Sequence, residues 1–192
     1  SPSGPVKLNI NGDDVEVESG TTLLTTLSSQ KIFLPSACGG GGTCGMCKCQ
    51  ITEGGGEILP TETGFFNRKE IADNWRLGCQ IKVKNDMTVK VPEEIFGIKK
   101  WECEVVSNYN VASFIKEYVV RLPEGENLDF EAGGYIQVDV PETTVDFKNI
   151  DITSHPKLGK APDEFKEKWN KFKLWTLKMV NPAPLFRAYS MA

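Results

Sequence analysis

The stretch SACGGGGTCGMC, from Ser36 to Cys47, is the part of this sequence that decides its fold. It places Cys38, Cys44 and Cys47 in a loop crowded with glycine, and Cys79 follows after a gap of 31 residues. Thiolates are soft ligands that suit iron and sulfide, and a two-iron cluster needs four of them around one small volume. Glycines let the backbone wrap closely around an inorganic core and turn its N–H groups toward sulfur. The spacing therefore predicts a [2Fe–2S] cluster held by these four cysteines.

Three other interpretations of this loop compete with the cluster. A disulfide framework is typical of short secreted chains, whereas this chain has 192 residues, six cysteines and no signal-peptide pattern. A structural zinc site normally offers two CxxC pairs, and only Cys44 and Cys47 form one, yet a zinc-stabilised structural module stays open because four-cysteine geometry is shared. Gly40, Gly42 and Gly45 satisfy GxGxxG, but a dinucleotide-binding loop follows a strand and opens a helix. The iron–sulfur interpretation is favoured.

Composition limits the class of protein without identifying it. With 40% hydrophobic residues over 192 positions, the chain can fill two small cores. A formal net charge of −4 argues against nucleic acid as a partner, because phosphates reward a basic surface. The sequence contains no apolar run of about 18 residues, the length that a membrane-spanning helix needs, so we expect no transmembrane segment in this chain.

The first half of the chain alternates in a way that predicts a mixed sheet packed on a helix. Val6–Ile10 and Asp14–Val17 alternate apolar and polar residues around Asn11-Gly12, which is a hairpin signal. A helix is predicted from Thr22 to Gln30, because its leucines fall on one face. Further strands are predicted at Lys48–Thr52, Gln80–Val83 and Met87–Val91.

The pattern changes after Pro92, where short strands recur between turn segments. They are predicted at Trp101–Ser107, Phe114–Arg121 and Tyr135–Val140, a spacing typical of a small antiparallel barrel. Residues 141–184 interrupt that pattern, and within them Phe165, Trp169 and Phe172 recur at helical spacing. We interpret this aromatic stripe as one that docks on the barrel rather than on a membrane or partner. The single histidine, His155, is assigned no role as a ligand or base.

The cysteine loop and the segment Leu77-Gly78-Cys79-Gln80 together resemble a plant-type [2Fe–2S] ferredoxin domain. That pattern has four residues between its first two cysteines, whereas five separate Cys38 from Cys44, as in vertebrate-type ferredoxins. This spacing, the run PEEIFGIKKWEC at 92–103 and the closing RAYSMA at 187–192 resemble the F subunits of the bacterial Na+-translocating NADH:quinone oxidoreductases. The resemblance covers nearly the whole chain. It implies an α+β chain with a β-grasp [2Fe–2S] ferredoxin-like domain at 1–98, followed at 99–192 by the N-terminal part of an antiparallel FAD-binding β-barrel of ferredoxin reductase type.

The RxYS sequence near the end of the chain resembles the flavin signature of the ferredoxin reductase family. By that resemblance, Arg187 would neutralise the FAD pyrophosphate, Tyr189 would lie against the isoalloxazine ring, and Ser190 would hydrogen-bond its reactive nitrogen. The sequence stops at Ala192, before the rest of such a barrel. We therefore expect FAD binding to need the missing remainder, and we expect no NADH oxidation by this chain alone.

The resemblance also implies a function, which is single-electron relay. In the intact protein, electrons from NADH would pass through FAD and the cluster to the membrane subunits of a sodium pump that reduces quinone. The enzyme would be a Na+-translocating NADH:quinone oxidoreductase, of which this chain alone only carries electrons, and no side chain is assigned as a general acid or base. A ferredoxin/FAD reductase component of a bacterial oxygenase is the alternative, although such reductases generally resemble the plant-type pattern, with four residues between the first two cysteines.

The resemblance to the F subunits further implies a location at the cytoplasmic side of the bacterial inner membrane. Because that family carries an N-terminal membrane anchor, the opening Ser1–Gly4 is interpreted as a truncated or engineered start.

Two cysteines and the glycine run complete the sequence-based predictions. Cys49 is expected to pack as a small apolar residue, and Cys103 is expected to lie on a strand of the second domain, so neither is a predicted ligand. The run Gly39–Gly42 should include residues at positive φ that present N–H groups to cluster sulfurs.

Overall fold

The computed structural model describes residues 4–192, which divide into two compact units. The first unit contains the chain up to Lys99 together with Glu131–Val140 and Leu185–Ala192, and the second contains Lys100–Phe130 and Pro141–Pro184. Most of the interpreted start, residues 1–3, lies outside the described residues. The predicted domain boundary at 98 and 99 stays a prediction.

The first unit is built on a five-stranded mixed sheet. Its strands are β1 Pro5–Ile10, β2 Asp13–Glu18, β3 Lys48–Glu53, β4 Trp75–Leu77 and β5 Met87–Lys90. Their order is β2-β1-β5-β3-β4, and β1 runs parallel to β5 while the other neighbours are antiparallel. Parallel neighbours need a long crossover connection. Here that crossover carries all four of the predicted ligand cysteines, and the β-grasp arrangement expected from the sequence is confirmed.

The predicted hairpin and the predicted first helix both form. Asn11 and Gly12 have φ of 49° and 97°, the positive values that a tight two-residue turn requires. The helix α1 spans Leu23–Ser29, and the side chain of Thr22 caps it by accepting the N–H of Thr25. Its three leucines are buried in the same apolar core as the strand residues of the sheet, and each contributes about 2 kcal/mol on burial.

One predicted strand in this unit is wrong. Residues 80–83 make a single isolated bridge and no ladder, and the edge strand of the sheet, β4, ends at Leu77, before Cys79. Ile81 and Val83 are nevertheless buried, because this segment packs against the start of α1, where the Leu23 N–H donates to the Ile81 carbonyl at 2.7 Å. Packing on a helix end produced the alternation that resembled a strand.

A buried ion pair fixes the segment between β3 and β4, which also contains the short helix α2 at Arg68–Ala72. Glu62 is fully buried and accepts hydrogen bonds from Arg76, at 2.7 Å for the closest, and from the main-chain N–H groups of Leu59 and Leu77. Arg76 also donates to the carbonyl of Gly55 at 2.7 Å. A buried pair is tolerated when its charges are hydrogen-bonded in this way. The pair anchors β4, the strand that leads to the fourth cysteine.

The remaining strands form three antiparallel ladders of two strands each. They are β6 Glu104–Ala112, β7 Ile115–Arg121, β8 Tyr135–Val140, β9 Thr143–Asp146, β10 Lys178–Asn181 and β11 Leu185–Ser190. The ladders are β6-β7, β9-β10 and β8-β11, and among residues 4–192 they do not close into a barrel. The antiparallel strands expected after residue 99 are thus present, although β9 and β10 fall in the stretch predicted to interrupt them.

Cys103 does not lie on a strand, which corrects the sequence-based expectation. The strand β6 begins at Glu104 rather than at Trp101 and runs on to Ala112. Its ladder with β7 ends where Glu104 pairs with Arg121, so the residues before Glu104 have no strand partner in this ladder.

Within the second unit, the aromatic stripe is only partly core. The helix α3 spans Lys166–Lys171, and its Trp169 is buried against Trp175 and Phe147, with ring centroids 5.0 and 5.9 Å apart. The Trp169 indole N–H also donates to the Ser113 carbonyl at 2.6 Å. Phe172, by contrast, is 56% exposed. Trp169 is therefore a core residue, packed against rings of its own stretch of chain and not on a closed barrel, whereas Phe172 contributes little to the core.

His155 has a structural surrounding in the second unit. Its Nδ1 accepts the Lys157 N–H at 3.0 Å, and its Nε2 lies 3.2 Å from the Glu117 carboxylate.

No helix of residues 4–192 combines the length and the apolar character that crossing a bilayer requires.

Candidate metal centre

The four predicted ligands lie in the cysteine loop and directly after β4, within the first unit. Cys38 and Cys44 are half-buried in the loop between α1 and β3, while Cys47 and Cys79 are buried. The Gly78 N–H donates to the Cys47 carbonyl at 2.8 Å, which holds the fourth cysteine beside the third. The pairing of β3 with β4 thus closes the 31-residue gap in sequence.

The four thiols are arranged as two pairs. Hydrogen bonds join the side chains of Cys38 and Cys44, and likewise those of Cys47 and Cys79. Two bridged irons each take two protein ligands, so two thiol pairs suit a two-iron cluster. Over residues 4–192, no three cysteine, histidine or carboxylate side chains are grouped closely enough to hold one metal ion.

The glycine run has the backbone conformation predicted for it. Gly39, Gly40 and Gly42 have φ of 69°, 91° and 75°, values that glycine adopts without steric cost. The Gly42 N–H is directed at the sulfur of Cys79, whereas the Gly40 N–H donates to the Ser36 hydroxyl at 3.0 Å. The predicted positive φ values are confirmed, and the prediction of N–H groups facing sulfur is supported at Gly42.

These hydrogen bonds also set the acidity of the thiols. Burial raises the pKa of Cys38, but the N–H groups of Thr43 and Cys44 more than offset it, and the pKa falls to about 5. The hydrogen bond from the Cys47 thiol lowers the pKa of Cys79 to about 6, against the effect of burial. The same contact, followed by burial, raises the pKa of Cys47. Donors that stabilise a thiolate are what sulfur ligands of a metal need.

Close packing explains why two of these positions are glycine. A Cβ on Gly39 would overlap the main-chain carbonyl oxygen of Phe186 and lie 3.0 Å from the Arg187 guanidinium. A Cβ on Gly42 would lie 2.5 Å from Nε2 of Gln80. The first neighbour is backbone and cannot turn aside. The cysteine loop is therefore in contact with the strand β11.

Arg187, Tyr189 and Ser190 lie on β11, which pairs with β8 along its whole length. Arg187 and Tyr189 are two residues apart and share one face of the strand, and Ser190 faces the other way. All three are exposed, Tyr189 at 58%. The structure brings Arg187 against the cysteine loop through Gly39 and leaves Tyr189 and Ser190 at the surface of β11.

Sequence reasoning missed Ser36, Gln80 and Gln137. The hydroxyl of the fully buried Ser36 accepts the Gly40 N–H at 3.0 Å and lies 4.0 Å from the Cys38 sulfur. Gln80 donates to the Cys79 sulfur at 3.3 Å. The first two are polar residues beside ligand positions, which is a signal in the sequence. Gln137 carries no such signal, because it reaches Ser36 from 101 residues away.

Cys49 and Cys103, which were not predicted as ligands, belong to neither thiol pair. Cys49 is fully buried in the apolar core, where burial, and then the nearby Glu62 carboxylate, raise its pKa to about 12. It packs as the sequence predicted. Cys103 is exposed.

Residues 8–84 match the family described as 2Fe-2S iron-sulfur cluster binding domain. That segment contains both thiol pairs and the glycine run. Residues 8–84 are thus an iron–sulfur protein domain of this family, and its cofactor is a [2Fe–2S] cluster.

A more particular relationship extends along nearly the whole chain. It is 50% identical over 191 residues to the F subunit of the Na(+)-translocating NADH-quinone reductase of Pseudomonas aeruginosa strain UCBPP-PA14, and 49% identical over 193 residues to the F subunit of the Actinobacillus pleuropneumoniae enzyme. Each alignment covers 99% of this chain and 45% of the relative, so the chain spans about half the length of the curated relatives it matches. The chain is homologous to these F subunits over that half, which confirms the resemblance found in the sequence.

Among solved structures, a cytochrome P450 reductase from Amycolatopsis is similar to this chain at 18% identity, with a TM-score of 0.47. The match covers 97% of this chain and 49% of the reductase.

Proposed function

We propose that this protein is a one-electron carrier whose Cys38, Cys44, Cys47 and Cys79 hold the [2Fe–2S] cluster. The observation that carries the proposal is the arrangement of these thiols in two pairs, with the main-chain N–H groups of Gly42, Thr43 and Cys44 aimed at their sulfurs. When bound, the cluster supplies a centre that gains or loses a single electron.

The protein's own contribution is to hold the ligands, exclude water on one side and leave the other side accessible. Cys47 and Cys79 are buried, whereas Cys38 and Cys44 are half-buried. An electron partner would therefore approach on the side of Cys38 and Cys44, where the least protein separates the ligands from solvent. N–H donors around the sulfurs offset the negative charge that four thiolates bring.

The chain further serves, in this proposal, as the electron-relay part of a Na+-translocating NADH:quinone oxidoreductase at the cytoplasmic side of the bacterial inner membrane. It passes single electrons that originate from NADH toward the other subunits of the pump. The support is the 50% identity to the F subunit of such an enzyme over 99% of the chain. The ferredoxin-like domain would span residues 1–98 and the N-terminal part of a flavin domain residues 99–192.

FAD belongs to the same proposal, with Arg187, Tyr189 and Ser190 as its contacts. Their chemistry fits the group, because an exposed guanidinium suits a pyrophosphate and an exposed phenol ring offers a face to an isoalloxazine. When bound, FAD supplies acceptance of a hydride and release of single electrons. The contact of Gly39 with Phe186 and Arg187 supports this proposal, since it sets the flavin signature against the cysteine loop.

Serine substitution of each cysteine tests the ligand set. The purified chain should be red-brown, contain about two irons and give a reduced-state EPR signal. Cys38→Ser, Cys44→Ser, Cys47→Ser and Cys79→Ser should each change or abolish that signal, while Cys49→Ser and Cys103→Ser should leave it unchanged. A colourless protein whose metal is zinc would overturn the proposal.

A further inference from the structure

The side-chain amide of Gln80 lies directly against the sulfur of Cys79. Its Nε2 donates to the Cys79 Sγ at 3.3 Å, and the residue is half-buried. Gln80 follows Cys79 immediately, after the end of β4, in the segment that packs on the start of α1.

Gly42 provides the space that this amide occupies. A Cβ at position 42 would lie 2.5 Å from Nε2 and 2.9 Å from Cδ of Gln80, so the amide fills the place of a missing side chain. The main-chain N–H of Gly42 is directed at the same sulfur of Cys79. Two donors from distant parts of the sequence thus converge on one predicted ligand atom, and the glycine loop holds the Gln80 amide in position.

We infer that Gln80 is a positioning residue that raises the reduction potential of the cluster by donating a hydrogen bond to Cys79. The inference rests on the proposed ligation by Cys79. Reduction adds one electron and no proton, and the added negative charge spreads onto the sulfurs. A hydrogen bond to sulfur stabilises the more negative state more strongly, which favours reduction. Without the donor the cluster is harder to reduce.

The test is a redox titration of the protein with its cluster, followed by visible absorbance. Gln80→Leu keeps the size of the side chain and removes the donor, and it should lower the equilibrium constant for reduction about tenfold, which is ~59 mV for one electron. Gln80→Glu should lower it at least as much, because it also adds a negative charge. Gln50→Leu is the control. Gln50 is half-buried as well, but its amide donates to the Asp73 carbonyl at 2.9 Å. This variant should stay within about twofold of the unsubstituted protein.

Gln80→Asn tests whether the amide must reach the Cys79 sulfur. It keeps the amide donor but places it on a side chain that is one methylene shorter. It should shift the potential in the same direction as Gln80→Leu and takes the place of that variant if leucine prevents assembly. Unchanged potentials in the Gln80 variants would overturn the inference. Loss of the cluster in all three would overturn it too, because Gln80 would then be needed for assembly. An unsubstituted protein without a cluster would instead overturn the proposed function.

Discussion

The side-chain amide of Gln137, on β8, donates a hydrogen bond to the main-chain carbonyl of Ser36 at 2.6 Å. Ser36 is fully buried, and its hydroxyl accepts the Gly40 N–H two residues beyond Cys38. A strand late in the chain therefore supports the loop that holds the first cysteine, within the same compact unit.

Loss of this support should loosen the loop. Gln137→Leu removes the donor and leaves the Ser36 carbonyl without it, at a cost of about 1 kcal/mol, so the cluster should be lost several times faster to an iron chelator. The decay of visible absorbance measures that rate. Gln50→Leu, which also removes a glutamine amide bonded to a carbonyl, should not accelerate it. Equal decay for the two variants would show that β8 does not support the loop.

The glycine run should tolerate alanine at Gly41, but not at Gly39 or Gly42. In Gly39→Ala the new methyl group overlaps the Phe186 carbonyl oxygen, and in Gly42→Ala it overlaps the Gln80 amide. Both substitutions also put alanine at a positive φ, 69° at position 39 and 75° at position 42. Gly41→Ala meets nothing closer than the Cys38 carbonyl at 3.6 Å. Iron bound per purified chain should fall for the first two variants and stay near the original for Gly41→Ala. Equal loss at all three positions would contradict the role assigned to the contacts.

The buried ion pair should matter far more than an exposed one. Glu62→Gln leaves the Arg76 charge buried without its partner, and we expect a loss of about 3–5 kcal/mol in the free energy of unfolding of the first unit. Urea unfolding followed by cluster absorbance, which reports on that unit, measures it. Asp14→Asn is the control within the same unit, because the side chains of Asp14 and its partner Lys7 are 56% and 61% exposed and the pair should contribute less than about 1 kcal/mol. The argument fails if the two variants unfold at the same urea concentration.

Trp169 should matter more to the stability of the second unit than Phe172, the last residue of the aromatic stripe. Trp169→Ala removes a buried ring and should cost about 3–5 kcal/mol, while Phe172→Ala removes a ring that is 56% exposed and should cost much less. Loss of near-ultraviolet circular dichroism on heating reports on the packing of these aromatic side chains. Comparable shifts in both variants would mean that the stripe packs as a whole.

The backbone conformations of the glycine run and of the first hairpin could be predicted from the sequence, because the residues that determine them are neighbours in the chain. The positive φ values follow from glycine itself, and the hairpin follows from Asn11-Gly12. The ladder of Trp75–Leu77 escaped prediction because three residues are too few to show alternation. Residues 80–83 were wrongly predicted as a strand, because packing against the start of α1 buries every second residue, Ile81 and Val83, as a strand would.

Contacts between distant segments are the part that no local pattern could reveal. The Gln137 amide and the Ser36 carbonyl are paired by the way β8 meets the loop, and neither residue type is unusual where it stands. The contact of Gly39 with Phe186 is of the same kind. A single sequence shows that Gly39 is glycine, but not which atom excludes a side chain there.

The exposure of Cys103 has a practical consequence for handling the protein. If the four paired cysteines are occupied by iron and Cys49 is inaccessible in the core, a thiol reagent should find one reactive group per folded chain and all six after unfolding and removal of iron. That solitary surface thiol can also join two chains during storage in air. An apparent dimer that disappears when a reductant is added would then record the history of the sample and not the assembly of the protein.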